Sequence, residues 1–412
     1  MKQPPSQTRT SAQLGSRRLF LQRSLALATV PFGAHALAAP TPWAQTLEQS
    51  RGQTVYFNAW GGSDRINAYI QWAAQSLKRS QQINLVHVKI SDMAQTVARI
   101  QQELARGNTD GTVDMLWING ENFVQLKRAQ GLWGPFTQNL PHMRWVDVVG
   151  KPTTTIDFGE PTDGLEAPWG MAQLSFFADE RRLPTAPKNT AEWLSLAKAQ
   201  PGQLSYPQPP DFHGTTWLKQ WLLQLAPDTQ ALYKPWTAAA FERATQPLWQ
   251  YLDALHPFLW RQGRQFPQSA AQMRELVADQ ALLIGVTFNP NEASSEIAAG
   301  RLPPTVRTFQ MEGGTIGNTH FLAIPANARA PQAAQVVIDF LLSPEAQAHK
   351  ADIRVWGDPT VLDLNALSPA DRAAFASPDA PGGLQSPQPA LAEPHASWVQ
   401  PLEDAWSRRY AA

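Results

Sequence analysis

Apolar and polar positions along the chain follow two periods, and the changes of period mark the elements. The segment TVYFNAW, Thr54 to Trp60, is a nearly continuous run of β-branched and aromatic residues closed by Gly61-Gly62, which predicts a buried strand and a turn. Beyond the turn, Ser63 or Asp64 offers a capping oxygen, and Ile66, Tyr69, Ile70, Ala73 and Leu77 recur at helical spacing to form one apolar face. The same order returns twice. INLVHVKI, Ile83 to Ile90, leads through Ser91 and Asp92 into a helical face of Met93, Val97, Ile100 and Leu104. TVDMLWI, Thr112 to Ile118, is turned by Asn119-Gly120 into a short helix carrying Phe123 and Leu126. Three successive strand–helix units predict right-handed crossovers and an open parallel sheet covered by helices on both faces. Ligands of such sheets sit beyond the carboxyl ends of the strands, here Asn58 to Ser63, Ser91 to Asp92 and Asn119 to Glu121.

From about Pro168 the pattern changes. Proline and tryptophan become frequent and the strand–helix rhythm stops, which predicts a crossing into a second body. TAEWLSLAKAQ reads as a helix, GQLSYPQP as a strand with a loop, and GTTWLKQWLLQL as a helix packed through Trp217, Leu218, Trp221 and Leu225. QPLWQYLDALHPFLW is a further helix. DQALLIGVTFNP, Asp279 to Pro290, ends a short helix and begins a buried strand, and THFLAIPANA is a strand closed by Pro325. PQAAQVVIDFLLSPEAQAHKA is an amphipathic helix with a second start at Pro344, where a missing N–H costs nothing. Ser377 to Pro394 reads as an extended surface connection before a last helix ending in SWVQPLEDAWSRRY.

The first forty residues follow neither period. Arg17 and Arg18 precede a mild apolar run that ends in Ala34-His35-Ala36 and Ala36-Leu37-Ala38, the layout of a removable export signal. SRRLFLQ resembles the bacterial twin-arginine signal, with Gln22 where lysine is frequent. The run is too short and too weakly apolar to stay as a spanning helix, so cleavage near Ala38 and a soluble periplasmic product are expected. The whole chain is neutral, with 34 basic and 34 acidic residues, but the first 38 residues hold five of the basic ones and no acid. Cleavage therefore leaves 29 basic against 34 acidic residues, a net charge of −5. Mild acidity without basic clusters argues against nucleic acid as a partner.

Cysteine is absent, which excludes disulfides, thiol nucleophiles, iron–sulfur clusters and thiolate zinc sites. The G-x-S-x-G elbow, H-E-x-x-H, the phosphate-binding G-x-x-x-x-G-K and G-x-G-x-x-G are missing as well, and the histidines from His87 to His395 lack ligand spacing. No cofactor and no metal are expected. An enzymatic alternative, a periplasmic hydrolase or transferase, would draw on an acid and a histidine such as Asp211 with His213. In place of such motifs stand loops of aromatic, glycine and polar residues at strand ends: AWGGSD, LWINGEN, APWGMAQ, YPQPPDFHGTT and TFNPN.

At these loops the chain resembles a family. FNAWGG, VDMLWINGENF, PPDFHGTTWL, LWQYLDALHPFLWRQG, FLLSPEAQ, VWGDPTVLD and LAEPHASWV are similar to segments of the YnjB-type ABC-transporter substrate-binding proteins, a subgroup of the bacterial extracellular solute-binding proteins. FLLSPEAQ marks solute-binding proteins in general, whereas the WGG, NGENF and LAEPH segments are specific to the subgroup. The resemblance covers about Arg51 to Tyr410 and implies an α/β, two-lobed, type II periplasmic-binding-protein fold, each lobe a mostly parallel sheet flanked by helices. With the change of pattern near Pro168, the lobes are expected at 39–168 with 315–355 and at 169–314 with 356–412. It further implies a monomeric, non-enzymatic protein that captures a small solute between the lobes and delivers it to an inner-membrane permease and its ATPase.

The residues agree with that role. Gly61-Gly62, ahead of Ser63, lets backbone approach a ligand and offers free N–H groups at a helix start, suited to an anionic or carbonyl group. Trp60, Trp117, Trp169, Tyr206 and Phe288 can wall a planar or cationic solute. Asp64, Glu121 and Asp211 can meet its positive charge, and Asn119, Gly120, His213 and Asn289 complete the set at the same strand ends. The expected solute is a cationic or zwitterionic organic molecule.

Overall fold

The computed structural model describes residues 43–376, 381–384 and 386–411. The segment read as an export signal lies outside them. The strands are β1 Thr54–Trp60, β2 Asn84–Ile90, β3 Met115–Ile118, the small hairpin β4 Ile156–Asp157 and β5 Glu160–Pro161, β6 Glu166–Gln173, β7 Ser175–Asp179, β8 Ile284–Thr287, β9 Val306–Phe309, β10 Thr315–Ala323 and β11 Ala390–Leu391.

The larger sheet runs β2-β1-β3-β10-β6, with β11 on the first residues of β10. β1 pairs in parallel with both β2 and β3, as three successive strand–helix units require. β10 lies antiparallel between β3 and β6. Side chains alternate across this sheet: Met115 packs with Phe57, Tyr69 and Val337 on one face, and Leu116 with Ile100 and Phe123 on the other. Helices Asp64–Ser80 and Pro331–Leu341 cover the first face, and Met93–Ala105 and Glu121–Arg128 the second.

The smaller sheet, β8-β7-β9, is antiparallel at both pairings, which corrects the expectation of a second mostly parallel sheet. The chain leaves the larger sheet through β6 into β7 and returns through β9 into β10, so the returning strand must run against the outgoing one. Around this sheet lies a separate core that includes Phe176, Trp193, Tyr206, Trp217, Trp221 and Trp406. Packing changes sides between Trp169, which belongs with Phe57, and Ala172, which belongs with Phe176. Trp356, Val361, Leu362 and Leu367 pack with Phe57, whereas the expected division put residues from 356 onward in the other body.

GQLSYPQP forms no ladder. The Gln203 and Leu204 carbonyls accept from Leu283 and Trp260, and Gln208 donates to Pro267. Pro207, Pro209 and Pro210 lack the donors that a strand would need. Among the described residues no helix is long and apolar enough to cross a membrane.

Candidate functional site

Trp60 closes β1 and is 41% exposed. Its ring lies across Gly62, where an added Cβ would come within 2.4 Å of the indole, and a Cβ on Gly61 would stand 2.6 Å from that of Lys89. These glycines serve close approach rather than a left-handed backbone. The Gly61 amide donates to Ile90 O at 3.0 Å, so the expectation of a free N–H at Gly61 is corrected: pairing with β2 extends one residue past Trp60. The Gly61 carbonyl accepts from Asn67 Nδ2 at 3.0 Å. Ser63 caps the helix Asp64–Ser80, its hydroxyl 3.5 Å from the Ile66 amide.

At the end of β3, Asn119 Nδ2 lies 3.5 Å from Thr319 O. Gly120 has φ 62°, the left-handed region that glycine enters freely. Its amide donates to Asp157 Oδ2 at 2.6 Å, and the Phe158 ring fills the space a Cβ would need. Glu121 then opens the helix Glu121–Arg128, where the helix dipole favours a carboxylate.

Three of the aromatic residues expected as walls, Trp169, Tyr206 and Phe288, lie in the cores instead. Trp169 is 0% exposed and meets Trp117 edge-on at 5.2 Å between centroids. Lys350, itself buried, lies near the rings of Trp169 and Trp356 and pairs with Asp358, which His320 Nε2 also approaches at 3.1 Å. Burial opposes ionisation of Asp358, but Lys350 and His320 outweigh it and hold the carboxyl below its ordinary value. Trp117, half-buried, touches both Trp169 and His320. Tyr206 is also 0% exposed, stacked on Trp217 at 4.0 Å, with its oxygen 2.8 Å from both His256 Nε2 and Trp406 Nε1. Burial lowers His256 to about 4, which leaves it neutral near pH 7. Large aromatic rings at loop edges fill cores as readily as they line clefts, and these rings had enough buried neighbours to go inward.

Around the smaller sheet, Asp211 caps the helix Phe212–Leu225, its Oδ1 accepting from the amides of His213 at 3.0 Å and Gly214 at 3.2 Å. The His213 ring stands 3.8 Å from the same oxygen. The carboxylate offered to the enzymatic alternative is therefore held by its own helix. Phe212, 42% exposed, meets the buried core residue Phe288 edge-on at 5.2 Å. Asn289 accepts from the Asn291 amide at 2.9 Å and reaches across to Trp356 O at 3.3 Å.

That last bond belongs to a first contact between the cores. Arg65, the second residue of the helix that Ser63 caps, donates to the carbonyls of Ile353 and Arg354 and to Ser295 O, and stands 3.5 Å from Glu296. Asn291 Nδ2 donates to Gly357 O at 2.8 Å beside it. The second contact is acidic. Lys219 Nζ lies 2.6 Å from Glu393 Oε2 and 4.4 Å from the centroid of the Phe158 ring. Asn318 Nδ2 approaches Glu393 Oε1 at 3.3 Å, and Thr215 Oγ1 donates to Glu403 Oε1 at 2.6 Å. Burial raises Asp157, Glu393 and Glu403, Glu403 to about 7, and repulsion from Glu121 adds to each. Sequence reasoning missed Lys219, Asn318, Asp157, Glu393 and Glu403. The signal that could have found the first is the lysine in GTTWLKQWLLQL, the one charged residue of a stretch rich in leucine and tryptophan.

Residues 72–374 match the family of bacterial extracellular solute-binding proteins. The chain is 47% identical over 372 residues to the protein YnjB of Escherichia coli strain K12, covering 89% of this chain and 94% of that one. It is similar in structure to an ABC transporter from Clostridium perfringens, with a TM-score of 0.60 and 13% identity over 87% of this chain and 98% of the other. It is also similar to the periplasmic binding protein AfuA from Actinobacillus pleuropneumoniae, seen with fructose-6-phosphate bound, with a TM-score of 0.59 and 14% identity over 87% and 99%. At those identities the structural likeness shows the fold, that of the type II periplasmic binding proteins. With the family matched over most of its length and YnjB over nearly all of it, this chain belongs to the YnjB-like bacterial extracellular solute-binding proteins, whose family and fold are those of solute binders and not of enzymes.

Proposed function

We propose that this protein is the periplasmic substrate-binding component of an ABC importer, exported through a twin-arginine signal cut near Ala38, that works as a monomer and hands its solute to an inner-membrane permease and ATPase. The two cores act as two lobes, residues 43–173 with 315–376 and residues 174–314 with 391–411, and the solute is held where they meet. The observation that carries this reading is the meeting of the strand-end loop Asn119–Glu121, from the larger sheet, with the helix starting at Phe212 and the segment around Glu393. Ligands of open α/β sheets bind beyond such strand ends.

We assign the solute contacts to Trp60, Ser63, Asn119, Glu121, His213 and Asn289, with Gly61, Gly62 and Gly120 shaping the loops and Phe288 backing the exposed Phe212. Trp117, Trp169, Tyr206 and Asp211 hold the loops from behind. Exposed aromatic faces and unneutralised carboxylates favour a cationic or zwitterionic organic solute. Calorimetry of the mature protein against amines, amino acids, sugars and oxyanions tests this. Tight binding of an amine or zwitterion supports it; a sugar or simple anion bound instead overturns the solute class, and no binding from any class overturns the carrier role.

A further inference from the structure

We propose that Glu121, Asp157, Glu393 and Glu403, gathered around Lys219 where the two cores meet, form a cation subsite that takes a protonated amine of the solute. The proposal rests on the reading that the solute is held at this junction, and it names the chemistry of its inner end. Four carboxylates meet one lysine. Lys219 Nζ forms an ion pair with Glu393 Oε2 at 2.6 Å and lies over the Phe158 ring, while Thr215 donates one hydrogen bond to Glu403. The other carboxylate oxygens keep their mutual repulsion, which an added cation would relieve.

A second observation points the same way. Asn318 is 4% exposed and turns Nδ2 to Glu393, while its Oδ1 has no protein partner. Asp157 is 1% exposed and gives Oδ2 to the Gly120 amide, while its Oδ1 has no protein partner either. Buried polar atoms are almost always hydrogen-bonded, so the lone acceptors of Asn318 and Asp157, with both oxygens of buried Glu166 near Asp157 also unpartnered, call for a donor. An ammonium group brings three N–H donors with one positive charge, and an aromatic face such as Phe158 accepts it as well. A metal ion fits less well, because among the described residues no group of three or more His, Cys, Asp or Glu side chains is arranged to hold one.

The experiment is calorimetry of the mature protein and of Asp157→Asn, Glu393→Gln and Glu403→Gln with 1,4-diaminobutane, benzylamine, arginine, calcium and manganese chlorides, glucose and phosphate. Circular dichroism checks the fold of each variant. Asp157→Asn keeps an acceptor for Gly120, and Glu403 is half-buried, so these two stay informative if Glu393→Gln does not fold. The expected result is binding of at least one amine by the wild type, weakened at least tenfold in Asp157→Asn and Glu393→Gln and about threefold in Glu403→Gln. Amine binding unchanged in the folded variants overturns the subsite and leaves the carrier role standing. Binding of calcium or manganese in place of amines overturns the amine assignment. Binding of glucose or phosphate alone overturns both the subsite and the cationic solute class, and a wild type that binds none of the probes overturns the subsite together with the reading beneath it.

Discussion

Replacing Glu403 by glutamine should change how stability depends on pH, and the size of the change can be worked from its surroundings. Burial, with repulsion from Glu121 added and the Thr215 hydroxyl opposing, raises the Glu403 carboxyl from 4.5 to about 7. An acid whose folded value lies above its unfolded one holds more protons when folded, so stability falls as pH rises between the two. At about 1.4 kcal/mol per pH unit the ceiling for this rise is about 3.5 kcal/mol, and partial exposure brings it to about 2 kcal/mol. Glutamine has no such equilibrium and can still accept from Thr215. Urea unfolding of solute-free protein from pH 4.5 to pH 8 is the assay. Glu403→Gln should match the wild type at the acid end and exceed it by about 2 kcal/mol at the alkaline end. Parallel stability curves for the two proteins would refute the burial argument.

Lys350→Met removes the ammonium that neutralises buried Asp358 and leaves only His320 beside it; urea unfolding should show a loss of about 3 kcal/mol, recovered in good part by adding Asp358→Asn. Trp60→Ala should weaken solute binding about tenfold, or about 1 to 2 kcal/mol, with little change in melting temperature. Trp169→Ala should instead cost about 3 to 5 kcal/mol of stability, and the opposite pattern would show that surface and core roles have been exchanged. Arg17→Lys together with Arg18→Lys should leave precursor in the cytoplasm with its mature domain folded, checked by fractionation; undiminished periplasmic protein would contradict the signal.

The first three strand–helix units were legible because each strand is a dense apolar run and each helix repeats its apolar face at the proper spacing, as Ile66, Tyr69, Ile70, Ala73 and Leu77 do. β6, β7 and β9 were not, since EAPWGMAQ and SFFAD carry proline, glycine and aromatic residues without alternation and are buried nearly throughout. At the site, the glycine loops could be read from composition, and Gly120 does adopt the left-handed backbone that its turn needs. Trp169 and Tyr206 could not be told from cleft walls, because the sequence carries no sign of which way a ring faces. The acidic junction joins residues as distant as Asp157 and Glu403, and proximity of that kind comes only with the fold.

Hydrogen exchange of the mature protein, with and without the amine that binds most tightly, bears most directly on the location of the solute. Capture between the cores predicts slowed exchange at Asn119–Phe123, Phe212–Thr216 and the segment around Glu393, with little change along the buried helix Pro331–Leu341. Protection confined to the surface groove of about 430 Å³ lined by Asn67, Gln71, His87 and Lys89 would place the solute outside that junction and contradict the account.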